Sequence, residues 1–126
     1  QNLFISASSI SQFAALAAFS REAEEVFEKR RVAFENRKSF LTSELASLGF
    51  IIPEEIHGAF YVYADISKFS LDSEIFCDSL LTQQKVAITP GTDFGQYRAK
   101  QHVRFAFTTS IEDLSEGVER LKSTLK

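Results

Sequence analysis

The hydrophobic pattern changes its period at Gly49, and this change limits the chain to folds that join a helical segment to a small sheet. Before Gly49, apolar residues recur every three or four positions, which is typical of helices that bury one face. After Pro53, short runs of aromatic and branched residues alternate with helical stretches. The sequence therefore predicts an α+β fold, a mixed or antiparallel sheet of about three strands that is covered by helices and preceded by a long helical segment.

Two helices are predicted in the first segment. Ser9 followed by Gln12 has the spacing of a capping box, and Ser20 is a second N-terminal cap. The second helix runs to about Leu48, after which Gly49 supplies the left-handed residue that ends it. Its apolar stripe predicts a broad buried face, formed by Phe27, Phe34, Leu41, Leu45 and Leu48.

Strands and helices alternate in the second segment. The predicted strands are 59–64, 86–89 and 102–107. One helix is expected to begin at Ser70, and a capping-box pair at Thr109 and Glu112 begins the last one. The residues expected on the buried face of the last helix are Ile111, Leu114, Val118, Leu121 and Leu125.

Composition excludes several classes of function. The chain has 126 residues, about the size of one domain, and a net charge of −3 with no basic stripe, so we expect neither nucleic acid nor a membrane as partner. The single cysteine, Cys77, has no disulfide partner and is expected to be a buried structural thiol, with a cytoplasmic location as the default. His57 and His102 lie far apart in sequence, and no metal site is predicted.

Arg104 is the residue that most suggests a function. In the strand 102–107, alternation places Val103, Phe105 and Phe107 on the core face and Arg104 on the other face. A guanidinium matches a carboxylate with two parallel hydrogen bonds, and the small Ala106 would leave room for such a ligand. The alternative is a half-exposed strand whose outer face simply carries an arginine.

Several segments occur in an order and spacing that resemble one family. They are 6–15, 58–62, 86–95, 103–107 and 110–114. Together they resemble the C-terminal small domain of the class I/II pyridoxal-phosphate-dependent aminotransferases, which have the aspartate aminotransferase fold (fold type I). The resemblance covers essentially the whole chain.

The resemblance implies an activity and a set of site residues. The family transfers an amino group between an amino acid and a 2-oxo acid on pyridoxal 5'-phosphate. Arg104 matches the arginine that binds the substrate α-carboxylate, and Phe60 matches a residue near the substrate pocket. Ser6 matches a position that approaches the partner subunit's active site in the family's homodimer.

One departure from the family limits what this chain does alone. The family's Schiff-base lysine and phosphate site belong to a large domain, and no lysine of this chain has the matching sequence context. We therefore expect residues 1–126 to be the small domain of a longer chain, with its own large domain as partner and with no catalytic residue, no bound cofactor and no activity in isolation. Two alternatives remain at this point: the ligand-sensing aminotransferase-like domain of a transcription regulator, and a stand-alone carboxylate-binding or dimerisation module.

Overall fold

The computed structural model describes residues 6–125, and the predicted α+β architecture is confirmed. Within that range it contains four α-helices and a three-stranded antiparallel sheet. In chain order the elements are α1 (Ser9–Ala17), α2 (Arg21–Leu48), β1 (Tyr61–Asp65), α3 (Ser73–Gln84), β2 (Thr89–Pro90), β3 (His102–Ala106) and α4 (Ile111–Thr124). Short 3₁₀ turns at Gly91–Asp93 and Ala99–Gln101 lie between β2 and β3. The chain forms two compact units, 1–33 and 34–126.

The N-terminal unit contains α1 and the first part of α2. The expected capping box at Ser9 and Gln12 was wrong: Ser8 is the N-cap residue, and its side chain makes no capping hydrogen bond. The Gln12 amide instead donates to the Ala7 carbonyl at 2.8 Å. Ser20 caps α2 as predicted, because its hydroxyl accepts a backbone N–H from the first turn at 3.2 Å. The large apolar side chains exposed in this unit are Ile10, Phe13, Leu16, Phe19, Val26, Phe27 and Val32.

The C-terminal part of α2 supplies one wall of the core in the second unit. Leu41 and Leu45 are buried, so the predicted broad face of α2 is fully covered only toward its end. Gly49 has φ +100°, the left-handed conformation that was predicted to end the helix. The N–H of Phe50 then donates to the carbonyl of Leu45 at 3.1 Å, and the Phe50 ring is buried in the core.

The central strand of the sheet is β3, and its register positions Arg104. The strand order is β1-β3-β2, with Arg104 paired to Tyr63 on one side and to Thr89 on the other. The predicted alternation is confirmed, since Val103 and Phe105 are buried and Arg104 lies on the opposite face. The buried face packs in one cluster with Val62, Ala64, Leu41, Leu45, Phe76, Leu80, Phe107, Leu114, Val118 and Leu121.

Helix α3 begins three residues later than predicted. The Ser70 hydroxyl accepts the N–H of Asp72 at 3.1 Å, which makes a turn ahead of the helix rather than a cap. Asp72 is the N-cap, and its carboxylate accepts the N–H groups of Glu74 and Ile75. In α3, Phe76, Cys77 and Leu80 are buried, whereas Ile75 and Leu81 are exposed.

Two other boundaries differ by a few residues. Ser110, one residue after the predicted Thr109, caps α4 by accepting the N–H of Asp113 at 3.1 Å. The strand predicted at 86–89 is replaced by the two-residue strand Thr89–Pro90, which shares only Thr89 with it.

The connection from β2 to β3 is fixed at two points. A Cβ atom on Gly91 would lie 2.3 Å from the Ala99 carbonyl oxygen and 2.6 Å from the Tyr63 hydroxyl, so only glycine fits there. Farther along, Arg98 has φ 51° and donates to the Asp65 carboxylate at 2.8 Å, while the Ser67 N–H donates to the same carboxylate at 2.7 Å. The connection is thereby held against the end of β1.

The pKa of the Asp65 carboxyl reflects these contacts. Burial raises the pKa, but the hydrogen bonds from Ser67 and the nearby His102 and Arg98 lower it by more. The net result is a pKa below the ordinary value, so the ionised carboxylate stabilises the folded state.

Substitution of Gly91 by alanine tests the close packing of the connection. We expect Gly91→Ala to lower the free energy of unfolding by about 1–3 kcal/mol, because two of the three nearest atoms belong to the backbone and cannot rotate away. Gly117→Ala in α4 is the matched control: no atom of residues 6–125 outside the helix's own nearby backbone lies within 4 Å of its added Cβ, and alanine favours the helix by about 1 kcal/mol. Denaturant unfolding of both variants makes the comparison, and equal stability of the two would contradict the packing argument.

The Asp65 contacts predict a specific pH dependence. A carboxyl with a lowered folded-state pKa contributes stability above its unfolded pKa of about 3.9 and loses it as the pH falls through the folded value. Asp65→Asn should therefore destabilise the protein near neutral pH by about 1.5–3 kcal/mol, with the difference from wild type shrinking as the pH falls below about 4. Thermal unfolding across pH measures this, and a difference that stays constant with pH would show that the charge of Asp65 is unimportant.

Candidate functional site

A pocket of about 440 Å³ lies on the face of the sheet that points away from the core. Tyr61 and Tyr63 of β1 and Arg104 of β3 share this face because alternate residues of a strand point the same way. The connection between the two 3₁₀ turns provides the remaining wall. The complete lining consists of Tyr61, Tyr63, Phe94, Gly95, Gln96, Tyr97, Ala99 and Arg104.

The Arg104 guanidinium lies against two aromatic rings. Its central carbon is 4.6 Å from the centroid of the Phe94 ring and 5.4 Å from that of Tyr61. Both distances are within the range of about 6 Å for a cation–π contact. The guanidinium carbon lies over both rings, so these contacts restrict the side chain without an ion pair.

The hydrogen-bonding capacity of Arg104 is largely unused. Within residues 6–125 its one hydrogen bond runs from Nη2 to the Thr89 hydroxyl, at 3.4 Å, and no Asp or Glu forms an ion pair with it. Its Nε atom is buried and has no hydrogen-bond partner among the described residues. A buried donor without a partner costs about 1–3 kcal/mol, so this arginine is not explained as a stabilising surface charge.

The Tyr63 side chain joins the pocket to the rest of the sheet. Its ring stacks on His102 with a centroid distance of 5.0 Å and an interplanar angle of 10°, and it meets the Phe94 ring edge-on at 6.3 Å. Burial raises the pKa of the Tyr63 phenol above its ordinary value. The hydroxyl group is therefore neutral at physiological pH and adds no charge beside Arg104.

The other two sequence-predicted site residues lie elsewhere. Phe60 comes just before β1, is 47% exposed and packs edge-on against Tyr61 at 5.7 Å, but in the described part of the chain it does not line the pocket of Arg104. Ser6 is exposed and precedes α1 in the N-terminal unit. The roles of both residues stay predictions.

Sequence reasoning did not identify the aromatic wall of the pocket. Tyr61 and Tyr63 alternate with buried residues in β1, and this alternation could have placed them on the outer face. Only the strand register, which the sequence does not show, brings them beside Arg104. Phe94 and Tyr97 belong to a connection without periodicity, where no local pattern indicates which way a side chain points.

Other candidate chemistry is absent from the described residues. Burial, together with Asp78 and Asp93, raises the pKa of Cys77 to about 11, which agrees with a buried structural thiol. Among residues 6–125, no cluster of His, Cys, Asp and Glu has the geometry to hold a metal ion. None of the helices in that range combines the length and apolar character needed to cross a bilayer.

Comparison with known proteins identifies the family. Residues 1–121 match the family model "Aminotransferase class I and II". The chain is 38% identical to the (5-formylfuran-3-yl)methyl phosphate transaminase of Methanocaldococcus jannaschii, over 99% of this chain and 32% of that protein. It is also 38% identical to the valine–pyruvate aminotransferase of Mycobacterium tuberculosis, over 92% of this chain and 30% of that protein.

Solved structures give the same result. A crystal structure from Methanococcus jannaschii, described as similar in its active site to kynurenine aminotransferases, superposes with a TM-score of 0.90 at 37% identity, covering 100% of this chain and 33% of that chain. An aminotransferase from Mycobacterium tuberculosis superposes with a TM-score of 0.86 at 38% identity, covering 91% of this chain and 30% of that chain. The chain thus spans about a third of the length of these relatives. Sequence and structure together place it in the aminotransferase class I and II family.

Proposed function

We propose that residues 1–126 are the small domain of a pyridoxal-phosphate-dependent aminotransferase and that Arg104 binds the α-carboxylate of its substrates. An amino acid and the corresponding 2-oxo acid differ at the α-carbon but share this carboxylate. One clamp at Arg104 therefore serves the donor and the acceptor of the amino group. The family membership of the chain supports the reaction class, since the relatives named above are transaminases.

The observation that carries the proposal is the state of the Arg104 guanidinium. It faces a pocket, and among the described residues no carboxylate pairs with it and its buried Nε donor has no acceptor. A carboxylate ligand would accept hydrogen bonds from the guanidinium in a geometry that the planar fork of arginine favours. The Tyr61 and Phe94 rings line the pocket beside the guanidinium, and an apolar lining screens a charge–charge attraction less than bulk water does.

Within residues 6–125, the pocket of Arg104 lacks the lysine that would bind pyridoxal phosphate covalently. The pocket lining contains no lysine among the described residues, and its one cation is Arg104. When bound, the cofactor supplies the electron sink for amino-group transfer. We assign its binding to the large domain of the complete protein, which would also provide the reactive lysine, and we derive no step of the reaction from this chain beyond carboxylate binding.

The remaining assignments follow from the family resemblance. We propose that Phe60 borders the substrate pocket and that Ser6 approaches the active site of a second subunit in a cytoplasmic homodimer. Phe60 lies just before β1 and its ring is half exposed, so it is accessible to a neighbouring part of the complete protein.

Substitution of Arg104 tests the carboxylate clamp. In the complete enzyme we expect Arg104→Lys to lower kcat/KM for the amino acid by about 10²-fold, because a lysine ammonium cannot make two parallel hydrogen bonds to a carboxylate. Steady-state kinetics should show a similar loss of kcat/KM for the amino acid and for the 2-oxo acid, since both substrates carry the same α-carboxylate.

Arg120→Lys provides the matched control. Arg120 lies on α4, pairs with Glu116 and does not line the pocket. This variant should keep wild-type kinetics. If Arg104→Lys also keeps them, Arg104 is not the substrate clamp.

The complete protein should bind the cofactor and use it. We expect an absorption band at longer wavelength than those of the aromatic side chains, which shifts when an amino acid is added and returns when a 2-oxo acid follows. Spectroscopic titration of the full-length product makes this measurement. A protein that binds the amino acid without transferring its amino group would instead favour the ligand-sensing role, and the aminotransferase proposal would fail.

A further inference from the structure

We propose that Phe94 is a positioning residue for Arg104: its ring fixes the plane of the guanidinium so that the in-plane donors meet the substrate carboxylate edge-on. This inference rests on the proposed role of Arg104 as the carboxylate clamp. Phe94 does not need to touch the substrate to act in this way, because its contact is with the arginine, 4.6 Å from ring centroid to guanidinium carbon.

A protein can orient a guanidinium by an ion pair or by aromatic faces, and the two have different consequences. An ion pair uses the in-plane N–H groups and neutralises the charge that a substrate carboxylate would need. A ring face contacts the guanidinium from above or below and leaves those N–H groups available. A clamp for a carboxylate is best held in the second way, and the guanidinium carbon of Arg104 lies over the Phe94 and Tyr61 rings.

Arg98 in the same molecule shows the contrast. Its Nη2 atom donates to Asp65 at 2.8 Å and its Nε atom donates to Gln101 at 2.9 Å, so two short hydrogen bonds fix its plane. Among the described residues, the one hydrogen bond of Arg104 is the long contact of 3.4 Å to Thr89, beyond the usual range for a strong N–H···O bond. The orientation of Arg104 therefore depends on its aromatic neighbours.

The Phe94 ring is itself held in place before any ligand arrives. Its backbone N–H donates to the carbonyl of Gly91 at 2.9 Å, which continues the 3₁₀ turn, and its ring meets Tyr63 edge-on. Gly91 is closely packed against the Ala99 carbonyl, so the turn cannot shift freely. Phe94 is nevertheless 50% exposed, and its removal costs the core little.

Competitive inhibition of the complete enzyme separates positioning from general structure. The probes are an unreactive straight-chain monocarboxylate and the primary carboxamide of the same chain, which carries no charge and has an NH2 donor in place of one acceptor oxygen. In Phe94→Leu we expect the inhibition constant of the carboxylate to rise about three- to thirty-fold, with the value for the carboxamide unchanged, because only the carboxylate depends on an oriented guanidinium. Phe94→Tyr keeps the ring face and should restore the wild-type value.

Phe69→Leu is the matched control for the loss of a phenyl ring. Phe69 packs on Phe50, 4.6 Å between centroids, and is not part of the pocket lining. It should leave the ratio of carboxylate to carboxamide inhibition unchanged, whatever its effect on stability.

The possible outcomes separate this inference from the proposed function. If Phe94→Leu weakens both inhibitors equally, Phe94 is a structural residue and the positioning role is wrong. If Phe94→Leu has no effect while Arg104→Lys weakens the carboxylate alone, the clamp stands and the positioning role is wrong. If neither variant changes carboxylate inhibition, the assignment of Arg104 fails as well.

Discussion

The structure of the second unit depends on the antiparallel pairing of β3 with strands on both sides. This pairing places Arg104 between Tyr63 and Thr89 and, through alternation, sends Val103 and Phe105 into the core. The same register thus determines which side chains meet the helices and which surround the guanidinium. A slip of one residue would bury the arginine and expose the core residues, so the hydrophobic cluster under the sheet fixes the register for the pocket above it.

The pocket wall opposite the strands is formed by the irregular connection between β2 and β3, which packs closely against the sheet. Gly91 fits against backbone, and the Arg98 to Asp65 ion pair attaches the other end of the connection to β1. Between these points lies Phe94, whose position is set by backbone hydrogen bonding and ring contacts rather than by a strand. Irregular segments commonly carry binding residues when a rigid scaffold holds both of their ends.

Local patterns predicted much of the fold, and long-range packing explains most of what they missed. Alternation in 102–107 correctly separated the core residues from Arg104, and Gly49 correctly ended α2, because both features depend on neighbouring residues only. Caps were misplaced where two adjacent residues, such as Thr109 and Ser110, offer equivalent hydroxyls. Ala106 was expected to leave space for a ligand; its strand partner is Tyr61, and that expectation stays a prediction. The site residue Phe94 depends on tertiary placement that no short-range pattern contains.

The burial of Cys77 has a practical consequence for work on the pocket. With a pKa of about 11, its thiol is almost entirely protonated at neutral pH, and it is shielded by the core of the second unit. Thiol reagents react through the thiolate, so this stretch of chain offers them no fast-reacting native cysteine. A cysteine introduced at Tyr97, which is 90% exposed on the pocket rim, could therefore carry a fluorescent reporter without first removing the natural thiol.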